Sequence, residues 1–218
     1  IGRATALMLG EKGATVSLIA RSGDKLAAVA REIEAAGGQA RRFVADVADR
    51  TALAQVFDDA AAAFGPAQGL FANAGFGGEF ATFTDYTDDN WDALIATNLT
   101  SVFLSIRKVL PAMIAAKQGS IVVTGSLASE RGMPMNAGYV AAKHGALGLA
   151  RAAAAEAAPH NVRVNCLIPG FIETPLLDTI PGGATDAALA AMGKNVPQGR
   201  VGQPEETAAL ACFLLSDA

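Results

Sequence analysis

What this sequence has little of narrows it first. It holds two cysteines, Cys166 and Cys212, and two histidines, His144 and His160. Both cysteines lie in apolar segments and read as buried free thiols. A disulfide framework is excluded, and a reducing compartment fits. The histidines stand apart in polar surroundings, and no His/Cys cluster has ligand spacing. A protein-built transition-metal site is therefore not expected. Charge is sparse: 17% of residues are charged and the formal net charge is -4. No run of Lys or Arg marks a nucleic-acid or lipid-headgroup patch. No unbroken apolar run approaches the roughly 18 residues of a membrane span, and the first residues do not resemble a signal peptide. No nucleic-acid partner, no membrane and a cytoplasmic location are the expectations.

What is present is apolar and alternating. Hydrophobic residues make up 51% of the 218, enough for a large core and too many for a disordered chain. The length suits a single α/β domain over 1–218. Short apolar runs at 14–20, 40–45, 69–72, 120–125 and 161–168 read as buried strands. Helix-like stretches run over 1–12, 22–36, 49–64, 88–116, 136–158 and 204–216. Strands separated by helices of this length imply right-handed βαβ units and a parallel sheet with helices on both faces. The long irregular segment is about 171–203, with room for a short helix over 184–193. Placed between the last strand and the last helix, it reads as a substrate loop closing over a site.

Within the small-residue helix, "GYVAAKHG" (138–145) sets Tyr139 and Lys143 one turn apart. At i, i+4 their Cβ atoms lie roughly 5–6 Å apart on one face. A nearby fixed ammonium favours the phenolate, bringing an ordinary phenol pKa of about 10 down towards neutrality. The phenol would then exchange a proton more readily. The surrounding Gly138, Ala141, Ala142, Gly145 and Ala146 are expected to let a large ligand approach. Taken alone, the pair is weak evidence, since a Tyr ring packed on a Lys stem would look the same. Other candidates cluster at the carboxyl ends of the strands, where ligands of parallel sheets sit. They are Ser126 after "SIVVTG" and "NAG" at Asn73, Ala74 and Gly75. Asn98 lies inside an apolar helical stretch, where an unsatisfied amide is costly.

Order and spacing of these elements together resemble a classical short-chain dehydrogenase/reductase. The resemblance runs through "IGRATA", "DV" at 46–47, "NAG" at 73–75, Asn98, Ser126, "YVAAK" at 139–143, "PG" at 169–170 and "GRVGQPEE" at 199–206. It implies a Rossmann-like doubly wound sheet and a tetrad of Asn98, Ser126, Tyr139 and Lys143. Tyr139 would pass a proton to or from the substrate oxygen, which Ser126 would hold. Lys143 would bind the nicotinamide ribose and lower the tyrosine pKa, and Asn98 would hold a water linking Lys143 to solvent. Ser129 is a spare hydroxyl, and the family spacing to Tyr139 favours Ser126. Cofactor contacts are implied at Ile1, Asp46, Val47, Asn73, Ala74, Gly75, Ile172 and Thr174. The family's first strand and Gly-rich turn would precede Ile1, and another strand would follow Ala218, so a longer natural chain is expected. A homotetramer built through helices 88–116 and 136–158 is also implied.

Cofactor choice rests on "LIARSGDKL". NAD users commonly place an acid at the end of this strand to hold the ribose 2′-OH. Here Ala20 stands there, followed by Arg21 and Ser22. A guanidinium fork and a hydroxyl at a helix start suit a 2′-phosphate, so NADP(H) is expected over NAD(H). The function expected is hydride transfer between NADP(H) and a small-molecule carbonyl or secondary alcohol. A 3-oxoacyl-carrier-protein reductase and a non-catalytic dinucleotide sensor are the alternatives. The substrate pocket is expected from 76–83, Leu127, Met133, Met135, Phe171 and the 176–197 segment, all mainly apolar.

Overall fold

The computed structural model describes residues 1–217. Helix α1 (Gly2–Glu11) leads into β1 (Thr15–Ala20), α2 (Gly23–Ala35), β2 (Gln39–Val44), α3 (Arg50–Phe64) and β3 (Gly69–Ala72). Then come α4 (Asp88–Ile95), a π-helical turn (Ala96–Thr100), α5 (Ser101–Ala116), β4 (Gly119–Thr124), α6 (Ala137–Ala157), β5 (Val162–Leu167), α7 (Asp186–Gly193) and α8 (Pro204–Leu215). The expected elements are all found, with ends shifted by one or two residues. Ends are set by local chemistry. Asp49 caps α3 by accepting from the Thr51 and Ala52 amides. Gly13 closes α1 at φ 85°, a conformation that costs glycine little.

All strand pairs are parallel: β1 with β2, β3 with β4, and β4 with β5. Ile121, Val122 and Val123 of the central β4 are fully buried. Alternation along a strand sends successive side chains to opposite faces, and both faces are covered here. Ile121 and Val123 pack on α5 and α6 through Val102, Ile106, Met113, Ala146 and Ala150. Val122 packs with Leu167 on Ala211 of α8. That is the doubly wound arrangement. Among the described residues the strands form two sheets, β1–β2 and β3–β4–β5. The strand expected after Ala218 lies outside the described residues.

The stretch Asp88–Ala116 is also not one regular helix. It passes the length and composition test for a membrane span, with mean hydropathy 1.5 in its most apolar window. Yet Val102, Ile106, Val109 and Met113 lie in the core, as in a central helix. Its π turn carries Asn98, and such turns recur at functional sites.

Candidate active site

The carboxyl ends of β3, β4 and β5 and the first turns of α6 surround a cavity of about 390 Å³. Tyr139, Lys143, Ser126, Asn73, Gly75, Ile1, Ile172 and Thr174 all line it. Lys143 is 5% exposed. Its Nζ donates to the Thr124 carbonyl at 2.7 Å and lies 5.7 Å from the Tyr139 ring centroid. An ammonium carries three donors, so that one bond leaves capacity for hydroxyl groups in the cavity. Ser126 starts the short turn Leu127–Ser129 and accepts from the Ala128 amide at 3.2 Å. Its side chain is also a hydrogen-bond partner of the Tyr139 phenol.

Asn98 is fully buried. It does not turn to solvent but clamps one backbone residue: Oδ1 accepts from the Phe76 amide at 3.0 Å, and Nδ2 donates to the Phe76 carbonyl at 2.9 Å. The clamp satisfies the amide that burial would otherwise penalise. A Cβ on Gly75 would come within 2.6 Å of Asn98 Oδ1 and 3.7 Å of Lys143 Nζ. Only a glycine lets the chain pass between them.

Electrostatics differ from the simple expectation. Burial pushes the Tyr139 phenol above its ordinary value, and the Ser126 hydrogen bond offsets part of this. Lys143 is not among the causes, so the expected lowering by the lysine is not the direction found. Burial takes Lys143 itself down to about 8, with Cys166 pulling the other way. Desolvation disfavours each charged form, and both groups are deep in the protein.

Four of the five small residues of α6 are a correction, while the fifth, Ala141, lines a wider groove. Gly138 faces Tyr86 and Leu94, where a Cβ would lie 2.8 Å from Tyr86 Oη, and Gly145 faces Leu99. Ala142 and Ala146 are fully buried. These positions admit neighbouring side chains, not a ligand. The expected pocket is corrected as well. Phe76, Leu176, Leu177 and Thr179 line the cavity, but Leu127, Met133, Met135 and Phe171 do not. Met133, Met135 and Ala81–Phe83 line a separate, wider groove of about 760 Å³ with Trp91.

At the other sheet, Arg21 follows β1 and Asp46 follows β2. Their ion pair is long, 3.9 Å, with side chains 78% and 46% exposed. Asp46 Oδ1 accepts from the Ala48 amide at 2.9 Å. Val47 is half-buried against the core. Ser22 occupies the N-cap position of α2, yet its hydroxyl makes no capping bond. Arg21, Ser22, Asp46, Val47 and Ala74 are not part of the 390 Å³ cavity lining.

A family model described as enoyl-(acyl carrier protein) reductase matches residues 1–218. The chain belongs to the classical short-chain dehydrogenase/reductase family. It is 39% identical over 217 residues to cyclohexanol dehydrogenase from Acinetobacter sp. (strain SE19), covering 100% of this chain and 84% of that one. The crystal structure of levodione reductase superposes with a TM-score of 0.94 at 33% identity, over 99% of this chain and 86% of that one. A 3-oxoacyl-[acyl-carrier protein] reductase from Brucella melitensis with bound NAD gives 0.88 at 32% identity, over 99% and 80%. This short-chain dehydrogenase/reductase is thus an oxidoreductase of alcohol or ketone substrates, in a family that binds a nicotinamide dinucleotide.

The roles of several residues around this site were not visible in the sequence. Ser129, the spare hydroxyl, is 2% exposed. It accepts from the Ser126 amide at 3.1 Å and donates to the Lys143 carbonyl at 2.8 Å, so it fastens two candidate residues and is not itself at the cavity. Thr124 holds Lys143 through its carbonyl and Asn73 through its hydroxyl, 3.1 Å from Asn73 Oδ1. Asn90 and Asn136 pin the loop after β3. A polar residue inside an apolar strand end or a helix start is the signal that would have raised each.

Proposed function

We propose that this enzyme interconverts a secondary alcohol on an apolar ring and its ketone, with NADP(H). The observation that carries the reading is the cavity itself. The buried Tyr139 phenol and Lys143 ammonium and the half-buried Ser126 hydroxyl share it with the apolar walls Phe76, Ile172, Leu176 and Leu177. The similarity to a cyclohexanol dehydrogenase supports a six-membered ring as the substrate class. The donor set also fits the dinucleotide: Lys143 has hydrogens to spare, and it lines the cavity together with Gly75 and Asn73.

When bound, the nicotinamide supplies or accepts the hydride. Tyr139 gives its phenolic proton to the substrate oxygen in reduction and takes it back in oxidation. The raised phenol pKa keeps that proton in place near neutral pH, which suits a general acid. Ser126 donates a hydrogen bond to the same oxygen and fixes its position. Lys143 holds the ribose hydroxyls with the hydrogens that its bond to the Thr124 carbonyl leaves over. Asn98 keeps the Phe76 wall and the Lys143 side of the cavity in register, with a water linking Lys143 to solvent. Asn73, Ala74, Gly75, Ile1, Ile172 and Thr174 flank the dinucleotide, with Asp46 and Val47 at the adenine. Arg21 and Ser22 receive the 2′-phosphate. The whole chain acts as one catalytic domain whose 171–203 segment covers the substrate. We also infer a cytoplasmic homotetramer assembled through α4–α5 and α6.

A second reading is a 3-oxoacyl-carrier-protein reductase, which the similarity to the Brucella melitensis structure favours. The test is NADPH oxidation by purified protein with cyclohexanone and with a 3-oxoacyl thioester, each repeated with NADH. A preference for cyclohexanone and NADPH is expected. Turnover of the thioester alone would select the second reading, and no turnover of either would overturn both.

A further inference from the structure

Behind Tyr139 lies a polar cluster to which the proposed chemistry gives no role. The loop after β3, residues 73–87, has no regular structure, and Gly77 and Gly78 make it pliable. Such a loop ordinarily moves. Here it is laced at four points. Asn98 holds Phe76, as described. Asn136, 2% exposed, donates from Nδ2 to the Gly77 carbonyl at 3.0 Å. Asn90, 8% exposed, repeats the Asn98 clamp on Glu79, with Oδ1 accepting from its amide at 3.0 Å and Nδ2 donating to its carbonyl at 2.9 Å. The Met135 carbonyl accepts from the Ala81 amide at 2.9 Å, and Met135 takes φ 62° to aim it. Three asparagine side chains thus supply the loop with bonds that a neighbouring strand would otherwise give.

The same cluster touches the helix of the candidate acid. Asn136 is the N-cap residue of α6, one turn before Tyr139. Tyr86 donates to Asn136 Oδ1 at 3.4 Å. Its phenol lies against the first turn, where Gly138 has no side chain to obstruct it. On its other side the loop meets the 171–203 segment: a Cβ on Gly77 would fall 2.5 Å from Thr179 Oγ1 and 3.6 Å from Leu176. Loop, helix and covering segment meet at a pair of glycines held by asparagines.

We propose that Asn90, Asn136 and Tyr86 are positioning residues with divided tasks. Asn90 fixes the loop as a preformed wall for the substrate. Asn136 and Tyr86 set the first turn of α6 and with it the Tyr139 phenol. This rests on the proposed ketone reduction for its kinetic consequences, but not for its structural ones.

The test uses Asn90→Asp, Asn90→Ala and Tyr86→Phe in the full chain. The aspartate keeps the acceptor for the Glu79 amide and loses the donor to its carbonyl; the alanine loses both. Losing a buried hydrogen bond corresponds to roughly a tenfold change in an equilibrium. In Asn90→Ala the Glu79 amide should therefore exchange hydrogen at least about tenfold faster, while β4 and α5 stay protected. With cyclohexanone, both Asn90 variants should raise KM about tenfold and hold kcat within about twofold. Tyr86→Phe should lower kcat about tenfold and leave KM within about threefold. The NADPH dissociation constant should not change in any of them. Unchanged Glu79 exchange overturns the clamp. KM and kcat worsening together in all variants, in step with the melting temperature, would reduce these residues to ordinary structural ones. If the wild type reduces no ketone, the proposed function fails, and the exchange measurement still decides the clamp.

Discussion

The two ends of the proposed dinucleotide site are built to different standards. At the β4–α6 end, Tyr139, Lys143 and Asn98 are buried, and each polar atom has a stated partner. At the β1–β2 end, Arg21 and Asp46 face each other across 3.9 Å in solvent. Burial magnifies electrostatics and punishes displacement. Exposure screens it, and surface pairs contribute about 0–1 kcal/mol. The buried end can therefore carry chemistry that depends on tenths of an ångström. On the proposed reading, the exposed end selects, by modest increments, which cofactor stays.

Changes at the buried end should be the most severe. Tyr139→Phe removes one oxygen and keeps the ring in place. Turnover should fall by about 10²–10⁴ with an unchanged circular dichroism spectrum; a kcat near wild type would remove Tyr139 from the proton path. Lys143 gives a pH signature. Its folded pKa, about 8, lies below the ordinary 10.5. The unfolded chain therefore binds more protons between those values, and stability should rise with pH across that window. Below about pH 8 the buried charge opposes folding in full. Chemical denaturation of wild type and Lys143→Met from pH 7 to 10.5 isolates the effect. The wild type should gain up to roughly 2–3 kcal/mol relative to the variant, and parallel curves would show that Lys143 is not desolvated.

The exposed end should respond less. Ala20→Asp combined with Arg21→Ala replaces the proposed 2′-phosphate site with a carboxylate. Charge-assisted hydrogen bonds of this kind are worth roughly 1.5–3 kcal/mol, so the ratio of kcat/KM for NADPH over NADH should drop by about one to two powers of ten. A double variant that keeps its preference would sever Arg21 from cofactor choice. The smallest effect is steric. Gly75→Ala places a methyl group 2.6 Å from Asn98 Oδ1, and overpacking of this kind costs about 1–3 kcal/mol. The melting temperature should fall, and an unaltered one would mean that the Asn98 clamp yields freely.

The exposed end rests on an argument of residue type that a sequence alone can make: no acid at Ala20, a guanidinium at Arg21. The buried end was legible only in outline. Spacing put Tyr139 and Lys143 on one face, and strand ends gathered Ser126 and Asn73. What it could not show was depth. Lys143 reads as a tuner of Tyr139 until its own burial and its bond to Thr124 are known. Gly138 and Gly145 read as room for a ligand because a helix does not announce which face meets Tyr86 and Leu99. Asn90 follows two aspartates at a helix start and looks like surface; only tertiary packing turns it inward onto Glu79. The π turn at Asn98 was hidden for the same reason, since an apolar run counts residues and not backbone bonds.

Division of labour between the two ends is the central claim, and a transient-kinetic titration tests it most directly. Enzyme is titrated with NADPH and then mixed with saturating ketone, giving the cofactor dissociation constant and the single-turnover rate together. Tyr139→Phe should change only the rate and Arg21→Ala only the dissociation constant, with the double variant showing the product of the two effects. A rate loss in Arg21→Ala at saturating NADPH, or a loss of NADPH affinity in Tyr139→Phe comparable to its loss of rate, would contradict the account.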